Sequence, residues 1–515
     1  MTQIRTAIVI GAGVAGMATA ALLAKDGIQT TVVEKLPAHG GRAGSETVDS
    51  FRFDTGPSWY LMPDAFDHFF ALLGKRTSEV LDLAPLTPAY RLFPEGGSPL
   101  DVTSGRDNAA ALFESIEPGA GARLREYLDS AQEVYDLALE YFLYSTFRSV
   151  RPLAQISAHY PKLARYLAES IDRFVGRRFT DVRLRQMLTY PAVFLSSRPA
   201  RTPSMYHLMS HTDLTQGVLY PQGGFAAVMD ALYSLAVEQG ARFSFNTEVA
   251  AITHSGREAT GITLVDGRQL HADTIVSCAD LHHTETRLLP REKRTYDEGY
   301  FAPRDPGLGT VLVMLGVERE IPELAHHNLL FSREWDDDFA AVFDGPVPQR
   351  PIGSSRSIYV SKPSATDPNV APAGHENLFV LVPVAAEEAI GHGDMYRERA
   401  SEQVERIADA AVEQIAQWCG VEELDRRVVV KRTLGPADFA ERYHAWSGGS
   451  IGPAHTLKQS AFLRGSNKSR KLDNLYYAGA TTVPGVGVPM CLISAENVIK
   501  RLRGDLSPGP LPEAI

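Results

Sequence analysis

Thr6-Ala-Ile-Val-Ile-Gly-Ala-Gly-Val-Ala-Gly16 is a short apolar strand running directly into G-x-G-x-x-G. A second apolar run, Thr30-Thr-Val-Val33, ends in Glu34, eighteen residues after Gly16. A strand, a glycine turn, a helix and an acid at that distance make a βαβ unit that holds a dinucleotide. Gly11 permits the tight turn, Gly13 lets backbone approach a pyrophosphate, and Gly16 lets the helix pack on the strand. The helix N-terminus, with Val14 and Ala15 in its first turn, offers free N–H groups and a partial positive charge to phosphate. Glu34 is placed to accept hydrogen bonds from a ribose and would repel a 2′-phosphate, which argues against NADPH. Small and apolar residues from Ala15 to Leu23 pattern the helix, and Asp26-Gly27 stops it.

Lys35-Leu-Pro-Ala-His-Gly40-Gly41-Arg42-Ala-Gly-Ser45 follows. A second glycine pair with an arginine has no use in an NAD site. It resembles the Gly-Gly-Arg of flavoproteins of the glutathione-reductase-2 and amine-oxidase type. That resemblance implies FAD, with Arg42 reaching the cofactor phosphates or the flavin edge; by itself the segment also reads as a surface turn with a solvated arginine. Phe53-Asp-Thr-Gly-Pro-Ser-Trp-Tyr60 resembles the segment that lies over the flavin in the same superfamily, which brings in Gly56, Pro57 and Ser58. Near the C-terminus, Asn474-Leu-Tyr-Tyr-Ala-Gly479 reads as a strand ending at a glycine. Gly487, Val488 and Pro489 then open an apolar-striped helix over 490–502. Such a helix aims N–H groups at a ligand and stabilises the negative charge that a flavin gains on reduction.

The chain has 515 residues, 44% of them hydrophobic, and a net charge of −11. It has no basic tract dense enough for nucleic acid. Cys278, Cys419 and Cys491 lie far apart, which suggests neither a disulfide framework nor a metal site and suits a reducing cytoplasm. The first strand begins too early to leave room for a signal peptide. The longest apolar runs, 309–317 and 378–386, are too short to span a bilayer and read as buried strands.

The expected fold class is α/β: a Rossmann-type FAD-binding domain of the glutathione-reductase-2/amine-oxidase kind, with an inserted α+β substrate domain. The cofactor domain is discontinuous, over 1–85, 220–289 and 426–515. Two insertions interrupt it, a helical one at 86–219 and a sheet-containing one at 290–425. In the second cofactor segment, 226–239 reads as a helix and 242–252 as one strand. Residues 260–272 read as a hairpin whose Asp266-Gly267 suits a type I′ turn. In the first insertion the aromatic run 135–147 reads as core, or else as a channel wall or membrane-contact face.

Over nearly its whole length the sequence resembles the carotenoid desaturases, the bacterial phytoene desaturases most closely. Gly56-Pro-Ser-Trp-Tyr-Leu-Met-Pro63, Tyr220-Pro-Gln-Gly-Gly224, His327-Asn-Leu-Leu-Phe-Ser332, Ser361-Lys-Pro-Ser-Ala-Thr-Asp-Pro368, Ala454-His-Thr-Leu-Lys-Gln459 and Pro484-Gly-Val-Gly-Val-Pro489 carry the resemblance in order. Ala478-Gly-Ala480 and Met490 depart from the commonest pattern, which leaves the product open. The resemblance implies an oxidoreductase acting on CH–CH groups: FAD-dependent desaturation of the C40 hydrocarbon phytoene towards lycopene in carotenoid biosynthesis. Hydride passes to flavin N5, a proton leaves the neighbouring carbon, and a quinone or oxygen reoxidises the flavin. It also implies Val249 against the adenine.

No acid–base pair or metal spacing is evident. Arg148 and His455 are candidate proton acceptors and also read as structural residues. The histidine pairs 282–283 and 326–327 read as surface or loop residues. A lipid-dissolved substrate with no spanning helix points to a cytoplasmic protein attached peripherally to the inner face of the cell membrane. Rival readings are a C30 desaturase, a carotene isomerase, a carotenoid ketolase, an amine or protoporphyrinogen oxidase, and a non-catalytic isoprenoid carrier resembling the Rab GDP-dissociation inhibitors.

Overall fold

The computed structural model describes residues 4–147, 160–345 and 352–513. Its first layer is a five-stranded parallel sheet, ordered Leu475–Tyr477, Thr274–Ser277, Thr6–Ile10, Gln29–Val33, Arg242–Ser244. The strand period of two divides the first strand between two cores. Ala7 and Val9 face the helix Val14–Lys25, which lies between the helices Gly224–Glu238 and Val488–Arg503. Ile8 and Ile10 face a three-stranded meander, Val249–Ser255, Glu258–Leu264 and Gln269–His271. The first helix is buried from Val14 to Leu23 because it is enclosed by the sheet and two helices, and its four buried alanines allow that close packing.

The span 242–252 is not one strand. Arg242–Ser244 closes the parallel sheet and Val249–Ser255 begins the meander, with Asn246 at φ +52° between them. The crossing is fixed by Asn246 N–H donating to Leu36 O at 3.1 Å and Thr247 N–H donating to Glu34 O at 2.7 Å. The hairpin turn is not type I′ either. Gly267 N–H donates to Leu264 O at 2.9 Å, and only Gly267, at φ +86°, is left-handed. This is the three-residue loop, a type I turn followed by a left-handed glycine.

The second layer is a seven-stranded sheet, ordered Val428–Leu434, Leu308–Glu318, His375–Ala385, Ile358–Ser361, His327–Phe331, Tyr90–Pro94, Leu100–Val102. Only the pairing of Tyr90–Pro94 with His327–Phe331 is parallel. The apolar runs at 309–317 and 378–386 are its long central pair. Val311, Val313 and Leu315 pack on the amphipathic helix Glu402–Cys419. Leu312, Met314, Leu329, Tyr359 and Phe379 line the opposite face, towards the helices of 106–216. In the aromatic run, Tyr135 and Tyr144 are core, and Tyr135 donates to Asp64 at 2.9 Å. His326 and His327 are not on the surface: they are 5% and 0% exposed, at the start of a central strand.

Candidate active site

The glycine turn is built by contacts that exclude side chains. A Cβ on Gly16 would lie 1.8 Å from Gly11 O, and Gly11 is left-handed at φ +98°. Next to this turn, Gly40 N–H donates to Ala12 O at 2.9 Å, bringing the second glycine pair against the first. A Cβ on Gly56 would lie 2.0 Å from Arg42 O, so the Gly56-Pro57-Ser58 segment runs directly under Arg42. Glu34 receives Ala12 N–H on Oε2 at 2.6 Å and Leu36 N–H on Oε1 at 2.8 Å. Burial raises its pKa while those N–H groups oppose the rise.

One cavity of about 440 Å³ joins these segments to the seven-stranded sheet. Gly11, Gly13, Val14, Ala15, Glu34, Lys35, Gly41, Arg42, Gly56, Pro57, Ser58, Val249, Gly479, Gly487, Val488 and Pro489 all line it. Gly16 sits behind, where it sets the helix-to-turn distance. The helices Val14–Lys25 and Val488–Arg503 both begin at this cavity with a glycine N-cap, no side-chain cap and no acid in the first turn. Two uncapped helix N-termini present N–H groups and partial positive charge to the same space. The residues therefore fit a dinucleotide: a ribose acceptor in Glu34, and phosphate-sized N–H cradles at Gly11–Ala15. The second helix end would stabilise negative charge on a group held against it. Arg42 donates to the carbonyls of Ser450 and Ile451 at 3.3 and 3.1 Å, which anchors the loop that closes the cavity.

At the Lys35 end, Lys35 Nζ donates to Glu441 O at 2.6 Å, and Glu248 Oε1 lies 3.2 Å from His444 Nε2. His444 stacks on His283 with ring centroids 3.8 Å apart. Burial lowers the pKa of both rings, so they stack neutral; His283 is pushed down to about 3. His283 thus belongs to the cavity and not to a loop surface.

The opposite end is apolar. It is lined by Phe194, Leu208, Leu312, Phe379 and Leu381, with Trp59 and Tyr359. Trp59 stacks flat on His327, centroids 4.5 Å apart. Tyr359 Oη lies 2.7 Å from both Ser58 Oγ and His327 Nδ1. The charged lining residues come from the nucleotide segments and from 442–444, none from the sheet or from 194–212. Apart from Trp59, which lies in the segment 53–60, the residues of this apolar wall are those that sequence reasoning missed. Alternation on 308–318 and 375–385 could have separated the two sheet faces, though not which one borders the cavity.

His455 does not line the cavity. It is 3% exposed, its Nδ1 is 2.7 Å from Tyr206 Oη, and its Nε2 accepts Val486 N–H at 3.3 Å. Burial holds it well below the ordinary histidine range, so it is a neutral support for the loop before the last helix. Arg148 lies outside the described residues.

The pattern of the family described as flavin containing amine oxidoreductase matches residues 14–501. The chain is 39% identical over 501 residues to a carotenoid 3,4-desaturase of Haloarcula japonica, covering 97% of this chain and 98% of that one. It is 32% identical over 520 residues to a zeta-carotene-forming phytoene desaturase of Myxococcus xanthus, covering 97% and 94%. Among solved structures, an oxidoreductase from Methanosarcina mazei has a TM-score of 0.63 at 17% identity, covering 96% of this chain and 100% of that one. A putrescine oxidase bound to putrescine has a TM-score of 0.60 at 14% identity, covering 97% and 99%. These structures share the fold. With the two-glycine cradle, Glu34 and the full-length matches together, the chain belongs to the carotenoid desaturases of the flavin containing amine oxidoreductase family, with FAD as its cofactor.

Proposed function

We propose that this protein desaturates a C40 carotenoid hydrocarbon in the 440 Å³ cavity, at the junction between the nucleotide cradle and the apolar sheet face. The observation that carries the reading is the division of that cavity, with charge and N–H groups at one end and uncharged lining from the sheet and 194–212 at the other. A hydrocarbon offers no polar handle, so shape and apolar contact must hold it. FAD, when bound, supplies the two-electron oxidant. The chain's own residues orient the substrate between Trp59, Phe194 and Phe379 and exclude water from the reacting carbons.

Two substrates fit this chemistry. One is phytoene, extended stepwise towards lycopene. The other is an already conjugated carotenoid oxidised at its 3,4 bond, which the 39% identity to a carotenoid 3,4-desaturase favours. Each would be given to FAD-loaded protein in liposomes and the pigments resolved by chromatography and absorbance. Coloured products from colourless phytoene support the first; a red shift from lycopene with phytoene untouched supports the second. Failure of both overturns the C40 reading and directs the test to C30 precursors. Among the described residues no helix is long and apolar enough to cross a membrane. Access to the substrate therefore requires peripheral docking on a bilayer, with a quinone or oxygen taking the electrons. Absence of liposome co-sedimentation at every salt concentration would overturn the docking.

A further inference from the structure

Behind Ser58 the structure encloses a second chamber of about 20 Å³. It shares Ser58 and Phe379 with the large cavity. Its polar walls are Asp54, Ser58, Tyr220, His326, Ser361 and Asn377. A space of that size takes one water, provided two to four polar groups surround it.

Two of those groups point to a ligand. His326 is 5% exposed; its Nδ1 bonds Thr366 Oγ1 at 2.7 Å, and its Nε2 meets no partner among the described residues. Ser361 is fully buried, and its Oγ makes no hydrogen bond of good geometry. Asp54 is a part-buried residue whose carboxylate lies deep. It accepts Phe225 N–H at 2.6 Å and Ala226 N–H at 3.3 Å, one on each oxygen, and Ser45 also bonds the carboxylate, which leaves at least one lone pair open. Burial pushes its pKa up to about 6, against the lowering effect of those N–H groups and Arg52. A carboxylate so raised accepts a proton readily near neutral pH.

We propose that this chamber holds a water molecule, and that Ser58, the water and Asp54 form the outlet for the proton that the substrate loses on desaturation. The relay rests on carotenoid desaturation in the large cavity. Desaturation takes hydrogen from two adjacent carbons. FAD, when bound, would supply the two-electron oxidant that takes one hydrogen as hydride, with its electron pair. The other leaves as a proton, and its C–H electron pair closes the new C=C bond. Ser58 Oγ takes that proton while its own hydroxyl proton passes to the water. The water gives a proton to Asp54, whose carboxylate becomes the neutral acid and returns the proton to solvent between turnovers. Tyr359, held 2.7 Å from Ser58 Oγ and from His327, fixes the orientation of the serine hydroxyl.

The first test does not depend on activity. A high-resolution crystal structure should show a water within hydrogen-bond distance of Ser58 Oγ and an Asp54 carboxylate oxygen, with His326 Nε2 or Ser361 Oγ as a further partner; its absence overturns the proposal. The second follows anaerobic single-turnover reduction of the bound flavin by carotenoid in liposomes. Asp54→Asn keeps an oxygen for Phe225 N–H but cannot take up a proton. Ser361→Val fills the chamber and leaves Ser58 in place. Each should slow flavin reduction about 10²-fold, with FAD content and carotenoid Kd within about twofold of wild type. Asp54→Glu should recover most of the rate lost in Asp54→Asn. Wild-type rates in Asp54→Asn or Ser361→Val overturn the relay, and if one variant does not fold the other decides. A wild-type flavin that no carotenoid reduces would sink the substrate reading and the relay with it, while the crystallographic water remains a separate result.

Discussion

The backbone N–H of Ala12 donates to Glu34 Oε2 at 2.6 Å, joining the glycine turn after the first strand to the acid that ends the second. Residues 22 positions apart are thereby locked together at the edge of the large cavity, which Gly11, Gly13 and Glu34 line. The bond uses one lone pair of Oε2 and leaves the other open to a further donor.

Glu34→Ala should weaken FAD binding by about 1–3 kcal/mol, roughly five- to 150-fold in Kd. It removes the ribose acceptor and strands the Ala12 and Leu36 N–H groups. The ratio of flavin absorbance to protein reads the loss directly. Unchanged flavin content would show that Glu34 does not hold the ribose.

Gly16→Ala and Gly27→Ala should differ sharply, although both are glycines of the same unit. The first would place Cβ 1.8 Å from Gly11 O and force the helix off the turn. The second adds a Cβ with nothing within 4 Å and carries only the strain of φ +79°. Thermal melts should show a loss of about 1–2 kcal/mol for Gly27→Ala. For Gly16→Ala the loss should be larger, with FAD lost as well. Equal melting temperatures would contradict the close approach.

His455→Ala should act on cofactor retention and not on the chemical step. It strands the buried Val486 N–H and frees the loop before the last helix, at a cost of about 1–3 kcal/mol. With FAD added to saturation, the rate of flavin reduction per bound FAD should match wild type. A hundredfold slower rate at full occupancy would make His455 a catalytic residue after all.

His207 supplies a pH dependence whose sign is fixed by burial. It is fully buried, with Nδ1 2.8 Å from Ser204 O and Nε2 2.9 Å from Ser130 Oγ, and Arg178 nearby. Burial lowers its pKa from 6.5 to about 4 against those hydrogen bonds. Between these values the unfolded chain binds the extra proton, so stability is full above pH 6.5 and lost as the pH falls towards 4. The melting temperature of wild type should drop over that window. In His207→Gln the drop should be shallower, and an unchanged slope would rule out this histidine as the source.

The nucleotide half of the site was legible because its geometry is local. Gly11, Gly13, Gly16 and Glu34 stand at spacings that one strand, one turn and one helix impose, and Pro489 and Gly487 mark a helix start by the same kind of rule. Where a strand must change partners, local periodicity misleads. The run 242–252 keeps its apolar pattern across the break at Asn246, because Phe243 and Phe245 pack against one core while Val249 and Ile252 belong to another. The histidines at 326–327 misled for the opposite reason. Polar residues at the head of a strand look exposed until Trp59 and Tyr359, from distant segments, cover one of them.

Sequence alone determined the parallel βαβ core, which follows from residue types at short, fixed separations, and the family, which follows from motifs in order along the chain. Tertiary structure alone decided the apolar wall and the small chamber behind it. Tyr359 pairs with Leu381, and Ser361 with Phe379, only through the antiparallel register of strands joined by a long connection. Ser58 reaches Tyr359 across 301 residues. The period of two assigns side chains to faces, but only the packed fold determines which face meets the cofactor.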